Sequence, residues 1–182
     1  MDITPLLPSR WVRGPSVARA TASLKQLILE GVQMPISGEV FRQLGRAAAG
    51  AVSVVSAYER SGDGIVALTV SSFVTLSYEP PLAMFAIQHD ADSYTSMVEG
   101  NAFGVSLLGA GQADVAQRFA RKGRDKTADF RFDQGIVVKV PLVPQAVAHI
   151  ECRTDQIFIS GDHAIVVGLI EGVETIDGEL GQ

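Results

Sequence analysis

Thr69-Val70-Ser71-Ser72-Phe73-Val74-Thr75-Leu76-Ser77-Tyr78-Glu79-Pro80-Pro81 is the stretch that decides the fold. It is too polar for an ordinary core strand and too rich in β-branched residues for a loop. Side chains alternate between the two faces of a strand. Thr69, Ser71 and Phe73 are therefore expected on one face, and Val70 and Ser72 on the other. Hydroxyls and backbone N–H groups at a strand end can hold a phosphate or the polar edge of a flat ring. The same hydroxyls can instead bond nearby backbone, and the residues alone leave both readings open. Pro80-Pro81 blocks further ladder pairing and sets an extended bend.

Working outward, Ile65 to Leu76 reads as one strand, and Leu82 to Ile87 as the next, apolar throughout and hence buried. Val52 to Ala57 is a strand candidate before them, with Arg60-Ser61-Gly62-Asp63-Gly64 as a turn. Phe103-Gly104-Val105-Ser106-Leu107-Leu108 is another strand, followed by a helix with Val115, Ala116, Phe119 and Ala120 on one face. Ala146, Ala148, Ile150 and Cys152 alternate with Val147, His149, Glu151 and Arg153, a half-buried strand on which His149 reads as outward. Ile157 to Ser160 and Ala164 to Val173 are two more, joined by Gly161-Asp162-His163. Short helices are expected around Phe41 and Leu44, ending at Gly50, and from Asp92 to Val98 with Asp92 or Ser93 as cap. Many strands at short spacing with few helices point to a mainly β fold and a small closed barrel.

A chain of 182 residues suits one domain with a real core. Apolar residues at 47% and charged residues at 19% exclude a disordered chain. The net charge of −5 gives no reason to expect nucleic acid. Cys152 is the only cysteine, so there is no disulfide framework and no cysteine metal site. A reducing cytoplasm is the simplest home. His89, His149 and His163 are far apart in sequence and no HExxH is present, so no metal is expected. No apolar run approaches the roughly 20 residues of a membrane span. Residues 1–33 carry Arg10, Arg13, Arg19 and Lys25 against Asp2 and Glu30, with Val17, Ala20, Thr21, Leu24, Leu27 and Ile28 at helical spacing. A transit peptide, a start at Met34 and a loosely attached extension all stay open for this part. The division expected is an extension over residues 1–36 and one domain over residues 37–182.

Three motifs bear on chemistry. Gly109-Ala110-Gly111-Gln112-Ala113-Asp114 follows a strand and opens a helix, as a dinucleotide fingerprint does. Asp114 stands at the third glycine position, where its carboxylate would face a pyrophosphate, so a tight turn is the better reading. Arg118, Arg121, Lys122, Arg124, Lys126 and Arg131 gather six of the 15 basic residues, which can steer an anionic ligand or form a solvated loop. His163, in its tight turn, can donate to a phosphate or a carboxamide, or simply bond backbone. No Ser-His-Asp triad can be assembled, and no catalytic side chain is assigned.

In order along the chain stand Phe41-Arg42, Ala51-Val52-Ser53-Val54-Val55-Ser56, Leu68-Thr69-Val70-Ser71-Ser72-Phe73, Ser77, Pro80-Pro81 and Ser93. Phe103 to Leu108, Gln112, Phe119-Ala120, Asp125-Lys126, Glu151-Cys152, Gly161-Asp162-His163 and Val167-Gly168 complete the set. This ordered set resembles the flavin reductase domain of two-component flavin monooxygenases, the reductase partners of 4-hydroxyphenylacetate, phenol and styrene monooxygenases. The chain differs in having Ala67-Leu68 where many members have Gly, and Ser106 where many have Asn, and it ends at Gln182, short of the family's usual last strand.

The resemblance implies an FMN-binding split β-barrel, a homodimer, and NAD(P)H-dependent reduction of FMN or FAD for release to a separate monooxygenase. It implies cofactor contacts at Thr69, Val70, Ser71, Ser72, Phe73, Gln88, Ser93, Lys126 and His163. Ser93 would stand near the flavin phosphate and His163 on the side of NADH or NADPH. A non-catalytic flavin- or haem-binding module and a pyridoxamine-phosphate-oxidase-like enzyme are the rival readings on the same barrel.

Overall fold

The computed structural model describes residues 36–175, apart from 49, 61 and 63. All of them belong to the second of two units, Ile36–Gln182. The readings made for residues 1–33 and for the last residues up to Gln182 lie outside the described residues.

The described chain is mainly β. Helix α1 (Gly38–Ala47) is capped by Ser37, whose Oγ accepts from Val40 N at 3.3 Å, and it buries no residue of its own. Strands β1 (Ser53–Tyr58), β2 (Ile65–Val70), β3 (Val74–Ser77) and β4 (Leu82–Gln88) follow. Then come α2 (Tyr94–Glu99), β5 (Ala102–Leu107), α3 (Ala113–Ala120) and the two-residue strands β6 (Asp133–Gln134) and β7 (Pro141–Leu142). The long hairpin β8 (Ala148–Ser160) and β9 (His163–Thr175) closes the described chain. It turns at Gly161, whose φ of +63° is a left-handed conformation that glycine adopts freely.

One antiparallel sheet runs β2-β1-β5-β8-β9-β4-β3, and β6-β7 form a small second ladder. The barrel expected from the sequence is not closed by hydrogen bonding: β2 and β3 are the two edges of the sheet. The single strand expected from Ile65 to Leu76 is broken, because the chain leaves the ladder at residues 71–73 and crosses from one edge to the other. Ser72 secures the crossing. Its Oγ accepts from Ala86 N at 3.0 Å and donates to Ala86 O at 3.3 Å. A side chain thus stands in for ladder bonds across the open seam.

β1 is buried on both sides. Val55 and Ala57 join the main core with Phe85, Phe103, Val105 and Val166. Phe85 and Phe103 meet edge to face at 5.1 Å between ring centroids, a favoured aromatic geometry. On the other side Val54 joins a second core with Ala67, Phe119 and Val143, against which Phe130 and Phe132 pack. Phe119 is the inward residue of α3, so this helix is the cover of that second layer.

Two residues of β8 depart from simple alternation. His149, expected outward, is buried, and its Nε2–H donates to Val143 O at 2.7 Å. Glu151 is 6% exposed and accepts from the backbone N–H groups of Ile136, Val137, Val138 and Lys139 at 2.6–3.2 Å. Burial alone pushes its carboxyl up, but the four N–H groups outweigh that and hold it below the ordinary carboxylate range. Gly135 and Gly172 leave room for it: a Cβ there would stand 2.4 Å and 3.3 Å from Glu151 atoms. Cys152 beside it is buried, and desolvation pushes its thiol up to about 12, an unreactive cysteine.

Candidate functional site

A cleft of about 340 Å³ opens where the ends of β2 and β4, the start of β9, α3 and the loop after α3 meet. That size lies within the roughly 300–1,000 Å³ of small-molecule sites. The ladder sets one wall: Gln88 pairs with His163, and Ala86 with Ile165. The crossing after β2 sets another, with Thr69, Val70, Ser71 and Ser72. Ser93, Lys126 and Arg121 line it from the segments before α2 and after α3.

Of the nine cofactor-contact residues read from the sequence, Phe73 alone stands away from this cleft. It packs against the main core, because the chain has left the strand at Ser71 and the alternation expected for Thr69, Ser71 and Phe73 no longer holds. The hydroxyls divide their work. Thr69 Oγ1 donates to Ala116 O at 2.7 Å and ties β2 to α3. Ser72 is committed to Ala86, and Ser71 is left exposed on the cleft wall.

Ser93 precedes α2, but its hydroxyl makes no capping bond. Its Oγ is fully buried and has no hydrogen-bond partner among the described residues. Ser53 Oγ, His89 Nε2, Tyr94 Oη and Thr154 Oγ1 are buried without a partner as well, but of these five residues Ser93 alone lines the cleft. Lys126, also a buried residue, lies on the same wall. Its Nζ donates to Arg121 O at 3.2 Å and Phe119 O at 3.5 Å, carbonyls just past and within the last turn of α3. A cation there suits the helix dipole. Burial pushes the Lys126 amine down, offset in part by Asp92.

His163 Nδ1 lies 2.7 Å from Asp162 Oδ1, and this contact lowers the Asp162 pKa. A carboxylate on Nδ1 favours the Nδ1–H tautomer and leaves Nε2 as an acceptor in the neutral ring. The turn is braced from behind, since His89 N donates to Asp162 O at 3.0 Å.

The basic loop is less free than its composition suggests. Arg118 donates to the Lys126 and Ala128 carbonyls and lies over the Phe130 ring at 5.2 Å. Lys122 Nζ pairs with Asp90 Oδ2 at 2.7 Å, and Gly123 N donates to Asp92 Oδ2 at 2.6 Å. Arg121 remains exposed on the cleft rim, and the Arg124 side chain lies outside the described residues. Asp90 and Asp92, which line the cleft, were not singled out as site residues. The available signal was a pair of acids just after the buried strand and a run of bases after the next helix.

The glycine-rich turn holds nothing in this cleft. Gln112 fills its own helix start, accepting from Gly109 N and donating to Pro144 O, both at 3.0 Å. No group of three or more His, Cys, Asp or Glu among the described residues could hold a metal ion. No described helix is long and apolar enough to cross a membrane.

The reductase component of 4-hydroxyphenylacetate 3-monooxygenase from Thermus thermophilus is 39% identical over 137 residues, covering 75% of this chain and 84% of that protein. Among solved structures, the flavin reductase component of a bacterial two-component tryptophan halogenase is 33% identical at a TM-score of 0.70, covering 78% of this chain and 89% of its own. An NADH:FAD oxidoreductase of Streptomyces globisporus, solved with NAD and FAD fragments, is 28% identical at a TM-score of 0.69, covering 80% of this chain and 88% of its own. Residues 44–182 match the flavin reductase like domain, a span that takes in the whole sheet and every wall of the cleft, and the chain belongs to that family.

Proposed function

We propose that the protein uses NAD(P)H to reduce flavin, FMN or FAD, and supplies the reduced flavin to a separate monooxygenase. The observation that carries this reading is the pairing, in one cleft, of the unpartnered buried Ser93 Oγ with the buried Lys126 amine. Together they suit a phosphate. The rest of the cleft suits a flat ring, with Leu68, Val70 and Ala86 as apolar wall and Ser71 at its polar edge. The relatives point the same way: one is by name a monooxygenase reductase component and another an NADH:FAD oxidoreductase.

Bound flavin supplies the hydride acceptor and NAD(P)H the hydride. The protein supplies position, desolvation and electrostatics, so no side-chain acid or base is required. Ser93 and Lys126 hold the phosphate. Thr69 and Ser72 fix the walls through their backbone bonds. His163, held at Nδ1 by Asp162, offers Nε2 to the nicotinamide side.

Mixing the pure protein with NADH and FMN should consume NADH. A flavin-loaded protein that leaves NADH untouched would overturn the reading. His163→Ala is expected to lower kcat/KM for NADH by about 1–2 kcal/mol, the scale of one hydrogen bond, while flavin affinity holds. A shift in flavin affinity alone would move His163 to the flavin. Residues 37–182 are read as the catalytic unit, so a chain starting at Met34 should show the same activity in this assay.

The same reading makes the protein a homodimer. Ala83, Phe85 and Ile87 of β4 face the core, yet the opposite face carries Leu82, Met84 and Ala86. Met84 pairs with Val74 and Val167, and Ile165 with Phe158, so an apolar face extends across four strands. Val74 is 44% and Phe158 51% exposed on it. A second copy covering this face would also wall the end of the cleft at Gln88 and His163, which share it. Sedimentation of the wild type should give a dimer and Met84→Glu a monomer. A monomeric wild type would refute the dimer. The cytoplasm is the compartment that fits an NAD(P)H-dependent activity and an unoxidised Cys152.

A further inference from the structure

The mouth of the cleft carries two opposed charge sets that the reading above leaves unused. Asp90 and Asp92 come from the segment after β4, and Arg121 and Lys122 from the segment after α3; all four line the cleft. Lys122 Nζ reaches across to Asp90 Oδ2 at 2.7 Å, and both side chains are largely exposed. Asp92 instead accepts from Gly123 N and so secures the loop itself. Asp90 thus occupies a cation that an entering phosphate would otherwise meet, and adds a repelling carboxylate at the same place.

We propose that Asp90 is a selectivity residue of this cleft: by competing for Lys122, it weakens the preference for phosphate-bearing ligands over their unphosphorylated counterparts. This rests on the reading of the cleft as a site for flavin and NAD(P)H. A phosphate entering the mouth must draw Lys122 away from Asp90 or accept a lysine already neutralised. A ligand without phosphate meets neither cost, and Arg121, with no carboxylate paired to it among the described residues, attracts phosphate in either case. The competing group can be the phosphate of the flavin or the pyrophosphate of the nicotinamide dinucleotide, which share the chemistry and differ in the assay.

The test uses the full chain and four forms: wild type, Asp90→Asn, Lys122→Ala and the double variant. Affinities for FMN and for riboflavin are measured by flavin fluorescence, and KM for NADH by steady-state turnover. Both side chains are exposed, so neither substitution opens the core. Asp90→Asn should raise the ratio of FMN to riboflavin affinity by about 3- to 10-fold, the scale of one exposed charge pair and its field. Lys122→Ala should lower the ratio, and the Asp90→Asn gain should shrink when Lys122 is absent. A fall in KM for NADH in Asp90→Asn with a fixed flavin ratio supports the proposal and assigns the phosphate to the dinucleotide. No rise in the flavin ratio and no fall in KM, or a change undiminished without Lys122, overturns it. A wild type that binds neither flavin would overturn the flavin reading itself, and this proposal with it.

Discussion

Glu151→Gln is expected to lower the stability of the protein by about 3 kcal/mol, the cost of leaving several buried donors facing a group that cannot accept from all of them. The carboxylate receives Ile136 N at 2.8 Å on one oxygen and Val138 N at 2.6 Å and Lys139 N at 3.2 Å on the other, with Val137 N shared between the two at 3.1 Å. An amide must turn its NH2 toward one of those N–H sets. The loop would then open, exposing backbone that Glu151 now satisfies. For a domain of this size the melting temperature should fall by about 6–12 °C. The pH dependence adds a second reading of the same contact. The native carboxyl is held below its ordinary range, so its contribution is complete above the unfolded pKa and is lost as pH falls through the folded one. Wild type and variant melting temperatures should therefore converge in acid, below about pH 4. A shift under about 1 kcal/mol at neutral pH, or one that does not narrow in acid, would mean that the loop finds its bonds elsewhere.

Glu151 also shows where sequence reading reached its limit. Alternation along Ala148–Cys152 identified a strand but assumed that every second residue met water. β8 lies inside the sheet between β5 and β9, and the 135–139 loop covers the face that alternation left outside. A polar residue in a central strand can be buried when a distant loop brings its partners, and no local pattern announces that. The hydroxyls of the opening stretch carry the same lesson. Thr69 bonds a carbonyl 47 residues away and Ser72 one 14 residues away. Eight of the nine residues expected to contact a cofactor therefore line one cleft, while the backbone bonds of Thr69 and Ser72 and the inward turn of Phe73 left no mark in the sequence. What was legible was local: the apolar run of β4, the glycine turn between β8 and β9, and the inward Phe119 of α3. What was not legible needed two distant segments at once, as with the break after Val70, the open seam between β2 and β3, and the Asp90–Lys122 contact.

Lys126→Met should weaken FMN binding by about 2 kcal/mol, roughly 30-fold, as a charge-assisted contact to phosphate is lost. Riboflavin, which has no phosphate, should bind within about 2-fold of wild type, since methionine keeps the apolar stem that lines the wall. The pair of ligands separates the two things that Lys126 does. Its Nζ also holds the Phe119 and Arg121 carbonyls, so the substitution could disturb the wall as well as remove a charge. Disturbance of the wall would weaken both flavins alike, whereas loss of the phosphate contact weakens only FMN. The direction of the amine's titration gives an independent check. Burial lowers the Lys126 pKa, so its positive charge is lost on raising the pH sooner than for an ordinary lysine. Wild-type FMN affinity should accordingly decline below the pH at which surface lysines titrate, and the decline should be missing from Lys126→Met and from riboflavin binding by the wild type. Equal weakening of FMN and riboflavin would make Lys126 a wall residue. Unchanged affinity for both would place the phosphate elsewhere and leave the unpartnered Ser93 oxygen without its proposed ligand.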